Sequence, residues 1–219
     1  IHRMDADLLA SYIERHKSGV HVLSAPFEPE IGEEVTGEQI ARILALLRSH
    51  YDYVLVDTSK SLAPPALAAL RTADPIILIT NMDVPSLRNL KRCLPILDDA
   101  TAGDASRLRL VVNRFNEKSL VSLEDIEETL GIEVHTTLTN DFDTVITSIS
   151  AGQPLVLKGG SRFAEECKAL ARDIAGGGRA ARKQAKTSTV SRLLSWFRSR
   201  QSHNGARQRS PQEEAVAHD

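Results

Sequence analysis

Three short runs of strand-forming aliphatic residues, separated by helical patterns, constrain this chain more than anything else in it. They are YDYVLVD at 51–57, IILIT at 76–80 and LRLVVNRF at 108–115. A strand buried on both faces reads as a continuous apolar run, and parallel neighbours need a crossover, usually a helix. The alternation therefore predicts an α/β fold, a mostly parallel sheet covered by helices on both faces. Hydrophobic residues make up 42% of the chain but aromatics only 4%, so Leu, Ile, Val and Ala carry the packing.

The punctuation between these runs is explicit. Leu8, Leu9, Tyr12 and Ile13 have the spacing of one helix face over residues 5–16, ended by Gly19, before a short strand at 20–26. Thr36-Gly-Glu-Gln39 is a capping box for a helix running to about His50. Pro64-Pro65 opens a helix over 65–72, and Pro85 opens one over 86–98. Ser122 and Asp125 cap a helix at 122–130 that Gly131 stops. A weaker strand at 134–138 leads to helices at 142–151 and 162–175, and Gly176-Gly-Gly178 reads as a hinge. Cys93 and Cys167 lack metal spacing and read as small core residues of a reducing compartment. No signal peptide or long apolar run appears, so the sequence carries no signal of its own for crossing a membrane. A start at Ile1 suggests a fragment or a processed chain.

In such sheets ligands gather beyond the carboxyl ends of the strands, which here are Asp57, Thr80 and Asn113. Asp57 either holds Mg²⁺ or an attacking water, as the acid after a buried strand does in phosphoryl transfer, or caps the loop that follows. Asn113 offers a donor and an acceptor together, which suits the edge of adenine, or it serves turn geometry. The phosphate loop G-x-x-x-x-G-K-[ST] occurs nowhere in the 219 residues. Lys158-Gly-Gly-Ser161 lacks its order and spacing, and reads as the loop before the closing helix.

YDYVLVDTSKSL, PSLRNLKR at 85–92 and LVVNRFNEKSLVSLEDIEETLG at 110–131 together resemble the CpaE/TadZ group of pilus-assembly ATPases, in the MinD/ParA superfamily with a deviant Walker A motif. The resemblance continues through LTND at 138–141, ISAGQPLV at 149–156 and the 161–175 helix, and reaches back to GVHVLSAPFEPE at 19–30. It implies that residues 1–175 are the C-terminal part of an ATPase domain binding ATP and Mg²⁺ and often dimerising across the nucleotide. A receiver-like domain and the strand–P-loop–helix unit are then expected before Ile1. By position Asp57 resembles the acid at the start of switch II, binding Mg²⁺ through water. Asn113 resembles the adenine-reading Asn of a VNR motif, with Arg114 beside it and Thr139 in the later adenine loop, and Ser86-Leu87-Arg88 matches the family's SLR. Such proteins place pilus and secretion machinery at the inner face of the membrane or a cell pole, in the cytoplasm. The chain departs from the pattern at Thr58-Ser59, where Asp-x-Pro is usual, at Lys60 in place of Arg, and at Thr139 in place of Pro. A catalytically inactive scaffold of the same fold is therefore the competing reading. A phosphoacceptor receiver lacks the Lys and the acid pair it needs, and a dinucleotide-binding dehydrogenase lacks G-x-G-x-x-G.

The net charge of −2 hides an asymmetry. Residues 1–178 carry 18 Lys+Arg against 26 Asp+Glu, and residues 179–219 carry 9 against 3. The tail divides into a basic linker at 176–189, an amphipathic segment at 190–200 and a polar end at 201–219. Val190, Leu193, Leu194 and Phe197 share one helical face, with Trp196 beside it and Arg192, Arg198 and Arg200 flanking. This composition suits an anionic membrane surface or a partner helix, or a disordered basic tail. The acidic body argues against nucleic acid.

Overall fold

The computed structural model describes residues 6–26, 32, 34–58 and 61–180. The chain divides into two compact units, Ile1–Ile76 with Ile96–Ala102, and Ile77–Pro95 with Gly103–Asp219.

In the first unit, helix α1 (Ala6–Ser11) is followed by a small antiparallel pair, β1 (Ile13–Arg15) and β2 (His21–Leu23), with Ile13 opposite Leu23. The expected helix over 5–16 is thus cut short. Its last residues pair across the turn at Gly19, whose φ of 90° favours glycine. Helix α2 (Gly37–His50) starts at the expected capping box: the Gln39 amide donates to the Thr36 hydroxyl and the Thr36 amide to the Gln39 side chain. Helix α3 (Pro64–Thr72) has both prolines in its first turn and packs on α2. The Arg48 guanidinium ties the pair together, donating to the Thr72 carbonyl at 3.0 Å and lying 3.4 Å from Asp74. Leu9, Leu44, Ala69, Ile76, Leu97 and Ala100 are the buried apolar side chains here.

The run at 51–57 departs from expectation. It forms no strand, and Tyr53 and Leu55 are 69% and 89% exposed. A strand exists only through its ladder, and among the described residues no neighbour pairs with this one. Strand propensity alone did not fix its state.

The second unit holds the sheet, in the order β3 (Ile76–Thr80), β4 (Leu108–Phe115), β5 (Val134–Thr139), with β4 and β5 parallel. Helix α4 (Val84–Ala100) follows β3, a short 3₁₀ turn at Ala105–Arg107 precedes β4, and α5 (Leu123–Leu130) makes the crossover from β4 to β5. Leu110, Val111 and Val112 are successive and wholly buried, which makes β4 a strand covered on both faces. Ile126 of α5 and Ala164, in the helix Arg162–Ala180, are also wholly buried. Helix α5 is bounded as its sequence dictates: Ser122 and Asp125 exchange capping bonds, and Gly131 closes it in the left-handed region. These bonds from Ser122, backbone first and then hydroxyl, hold the Asp125 carboxyl below its ordinary value.

After β5 come α6 (Phe142–Ser150), a single turn α7 (Leu155–Lys158) and α8 (Arg162–Ala180), which packs along β5. Helix α8 runs on through Gly176-Gly-Gly178, where the sequence suggested a hinge. Glycine weakens a helix by about 1 kcal/mol per residue without forbidding it. The expected parallel α/β architecture is present. No helix among the described residues is long and apolar enough to cross a membrane. Arg192, Leu193, Leu194, Trp196, Phe197 and Arg198 lie outside the described residues, as do Ser59 and Lys60.

Candidate functional site

The carboxyl ends of β3, β4 and β5 all lie in the second unit. Thr80 ends β3 almost fully buried, its hydroxyl turned to the Asn81 carbonyl at 3.3 Å. Beyond it Asp83 caps α4, accepting from the Ser86 amide at 2.8 Å and the Ser86 hydroxyl at 2.9 Å. Ser86, one of the residues matched to the SLR motif, is therefore engaged at the helix start.

The end of β4 is the least regular part of the sheet. Val112 lies opposite Thr137 and Phe115 opposite Thr139, so β4 spends one more residue than β5 between these positions. That extra residue falls at Asn113-Arg114, and Arg114 has φ of 53°. A bulge bends a strand and re-aims the side chains beside it. For a side chain other than glycine, the left-handed region costs about 1–2 kcal/mol. Asn113 is partly exposed, and its side-chain amide makes no hydrogen bond to another described residue. The Arg114 guanidinium lies over the ring of Phe142, 5.8 Å from its centroid. The opposite slip, between Leu110 and Val111, leaves His135 as the extra residue on β5. His135 is held 2.7 Å from Asp173 of α8.

Thr139 is fastened from the other side. Its amide donates to one oxygen of Glu166 at 2.6 Å and its hydroxyl to the other at 2.7 Å. Arg162 adds a bond to the same carboxylate at 2.9 Å. Burial pushes the Glu166 carboxyl up, but the Thr139 and Arg162 donors outweigh it and hold the group below its ordinary value. Burial first, and then the Glu166 charge, push the neighbouring Cys167 thiol up. Both Thr139 donors are thus committed to the fold, which leaves that residue as an anchor of the strand end.

The structure brings Asn113, Arg114 and Thr139 to the same end of adjacent strands. Asp57 belongs to the other unit, where it is exposed in an irregular segment. Glu166 and Phe142 escaped the sequence reading. Glu166 bonds a residue 27 positions away, with no local signature. Phe142 follows Asn140-Asp141 and was visible only as an aromatic at a helix start. An open groove of about 600 Å³ runs between α6 and the Lys158–Arg162 segment, with Asp141, Thr147, Gln153 and Ser161 among its lining residues.

These residues fit a nucleotide in part. The side-chain amide of Asn113, which bonds no other described residue, suits the edge of a base, and the Arg114 guanidinium over the Phe142 ring is a flat pair at the same strand end. No described group of three His, Cys, Asp or Glu side chains could hold a metal ion. The motif G-x-x-x-x-G-K-[ST] does not occur in the 219 residues, so no loop of that kind offers its backbone N–H groups to a triphosphate here.

No protein-family model matches the chain. Among curated proteins it is similar to the septum site-determining protein MinD of Thermotoga maritima, 24% identical over 151 residues, covering 67% of this chain and 55% of that protein. MinD of Bacillus subtilis is 25% identical over 147 residues, covering 65% and 54%. The chain spans about half the length of the curated relatives it matches. Among solved structures it resembles a ParA family ATPase from Chlorobium tepidum, with a TM-score of 0.69 and 21% identity over 75% of this chain and 69% of that one. The MinD cell division protein of Aquifex aeolicus gives a TM-score of 0.63 at 21% identity, covering 77% and 70%. The chain has the MinD/ParA fold and is related in sequence to the MinD proteins.

Proposed function

We propose that this chain is the base-binding part of an ATP-dependent switch that places pilus or secretion components, in the manner of the CpaE/TadZ group. The observation that carries the reading is Asn113. Its amide lies unengaged by other described residues at the bulged carboxyl end of a central strand, in a chain related to MinD. ATP with Mg²⁺ is the proposed ligand, with Asn113 and Arg114 at the base. Asp57 is proposed to act through water on the metal or the attacking nucleophile, and the phosphates to be held by a P-loop segment of the natural protein. Hydrolysis supplies an irreversible step that resets binding and dimerisation. The cytoplasmic face of the membrane, reached through Leu193, Leu194, Trp196, Phe197 and their flanking arginines, is the proposed place of action, and pilus machinery and a second copy are the proposed partners.

A non-hydrolysing scaffold of the same fold is the second reading. The exposed, irregular segment around Asp57 and the Thr58-Ser59 sequence that follows it favour that reading. Phosphate release from MgATP by the natural protein and its Asp57→Ala variant separates the two. Turnover lost in the variant supports the switch. Binding without turnover in both proteins supports the scaffold.

A further inference from the structure

We propose that Phe142, backed by the Arg114 guanidinium, is a stacking surface for the planar base of the bound nucleotide; this rests on the nucleotide reading above. Phe142 is the first residue of α6 and is 55% exposed, although aromatics are scarce in this chain. The guanidinium lies over its ring at 5.8 Å from the centroid, and more than half of the residue's surface is still exposed. That guanidinium is carried by a residue held in the left-handed region at a bulge. Backbone strain of this kind collects at ligand clamps, where the surrounding structure fixes a side chain that would otherwise relax. Asn113 and Arg114 share the bulge at the end of β4, so a side-chain amide that can read a base edge and the residue whose guanidinium lies over Phe142 leave the sheet at the same strand end.

Aromatic rings accept a base on their faces whatever its identity, and a guanidinium adds a flat cationic partner. Stacking supplies affinity for any base, while the amide selects among them.

Phe142 also begins an exposed apolar stripe with Ile146 and Ile149, 43% and 67% exposed. A protein-docking face would use the whole stripe, whereas a base uses only its first residue.

The test is calorimetric titration of the natural protein with MgATP and, separately, with magnesium tripolyphosphate. The variants are Phe142→Leu, Phe142→Tyr and Ile149→Ala. Phe142→Leu keeps an apolar side chain but removes the ring, and is expected to weaken ATP binding about tenfold or more. Tripolyphosphate binding is expected to stay unchanged. Phe142→Tyr keeps the ring and is expected to retain ATP affinity, and Ile149→Ala is expected to have no effect on either ligand. ATP affinity unaltered in Phe142→Leu would overturn the stacking surface while leaving the nucleotide reading intact. Equal losses in Phe142→Leu and Ile149→Ala would overturn it in favour of a docking face. A natural protein that binds tripolyphosphate as tightly as ATP would show that no base site exists, and both readings would fall.

Discussion

Replacing Glu166 with Ala should loosen the strand end that carries the site, and the cost follows from the bonds it makes. The carboxylate takes the Thr139 amide at 2.6 Å and the Thr139 hydroxyl at 2.7 Å, with its side chain only 21% exposed. A hydrogen bond to an ionised acceptor contributes about 1.5–3 kcal/mol, and partial exposure favours the low end. The Arg162 contact adds little, because that guanidinium is 75% exposed. The expected loss is therefore about 2–3 kcal/mol near neutral pH. Thr139→Val removes only the hydroxyl bond and should cost about 1 kcal/mol. The two variants combined should show a coupling of about 1 kcal/mol, because they share that bond.

The pH dependence has a definite sign. The folded-state value of Glu166 is depressed below its ordinary 4.5. Its stabilisation is therefore complete above that value and is lost as pH falls through the folded-state pKa. Urea unfolding of the natural protein and the Glu166→Ala variant, at about pH 7 and about pH 3, measures the difference. The gap should narrow on acidification. A cost below about 0.5 kcal/mol at neutral pH would refute the anchor. So would a gap that stays the same or widens in acid.

Substitutions at three positions probe the backbone directly. Gly37→Ala, which in an ordinary helix position would stabilise by up to about 1 kcal/mol, should instead destabilise. A Cβ there would sit 2.8 Å from the Pro64 carbonyl oxygen, so α3 must shift to admit it; a raised melting temperature would contradict this. Ala102→Gly should stabilise by about 1 kcal/mol in thermal unfolding, because Ala102 is held at φ of 55° just after α4. At the bulge, Arg114→Gly should be more stable than Arg114→Ala by about 1 kcal/mol, since both lose the ring contact and only glycine is at ease at φ of 53°.

Local punctuation was the most legible part of the sequence. The boxes at Thr36/Gln39 and Ser122/Asp125 and the stop at Gly131 act within a few residues of themselves, so they read correctly without tertiary knowledge. The run at 108–115 read correctly because an aliphatic strand covered on both faces leaves no alternation to misread. The run at 51–57 has the same character but forms no strand, because pairing lies outside the run itself. The pair β1–β2 was hidden because Tyr12 and Ile13 have helical spacing with Leu8 and Leu9, while the turn at Gly19 redirects the chain. At the site, the type and place of Asn113 could be read. The left-handed Arg114, the ring of Phe142 against it and the grip of Glu166 on Thr139 depend on register and on contacts across 27 or 28 positions, which no window of sequence displays.

Hydrogen–deuterium exchange of the natural protein with and without MgATP tests the central claim most directly, because it reports on the strand ends whether or not turnover occurs. Nucleotide binding through this site predicts slowed exchange at residues 113–119 and 139–143, with residues 123–130 of the crossover helix unchanged. Exchange at both strand ends unaffected by saturating MgATP would contradict it.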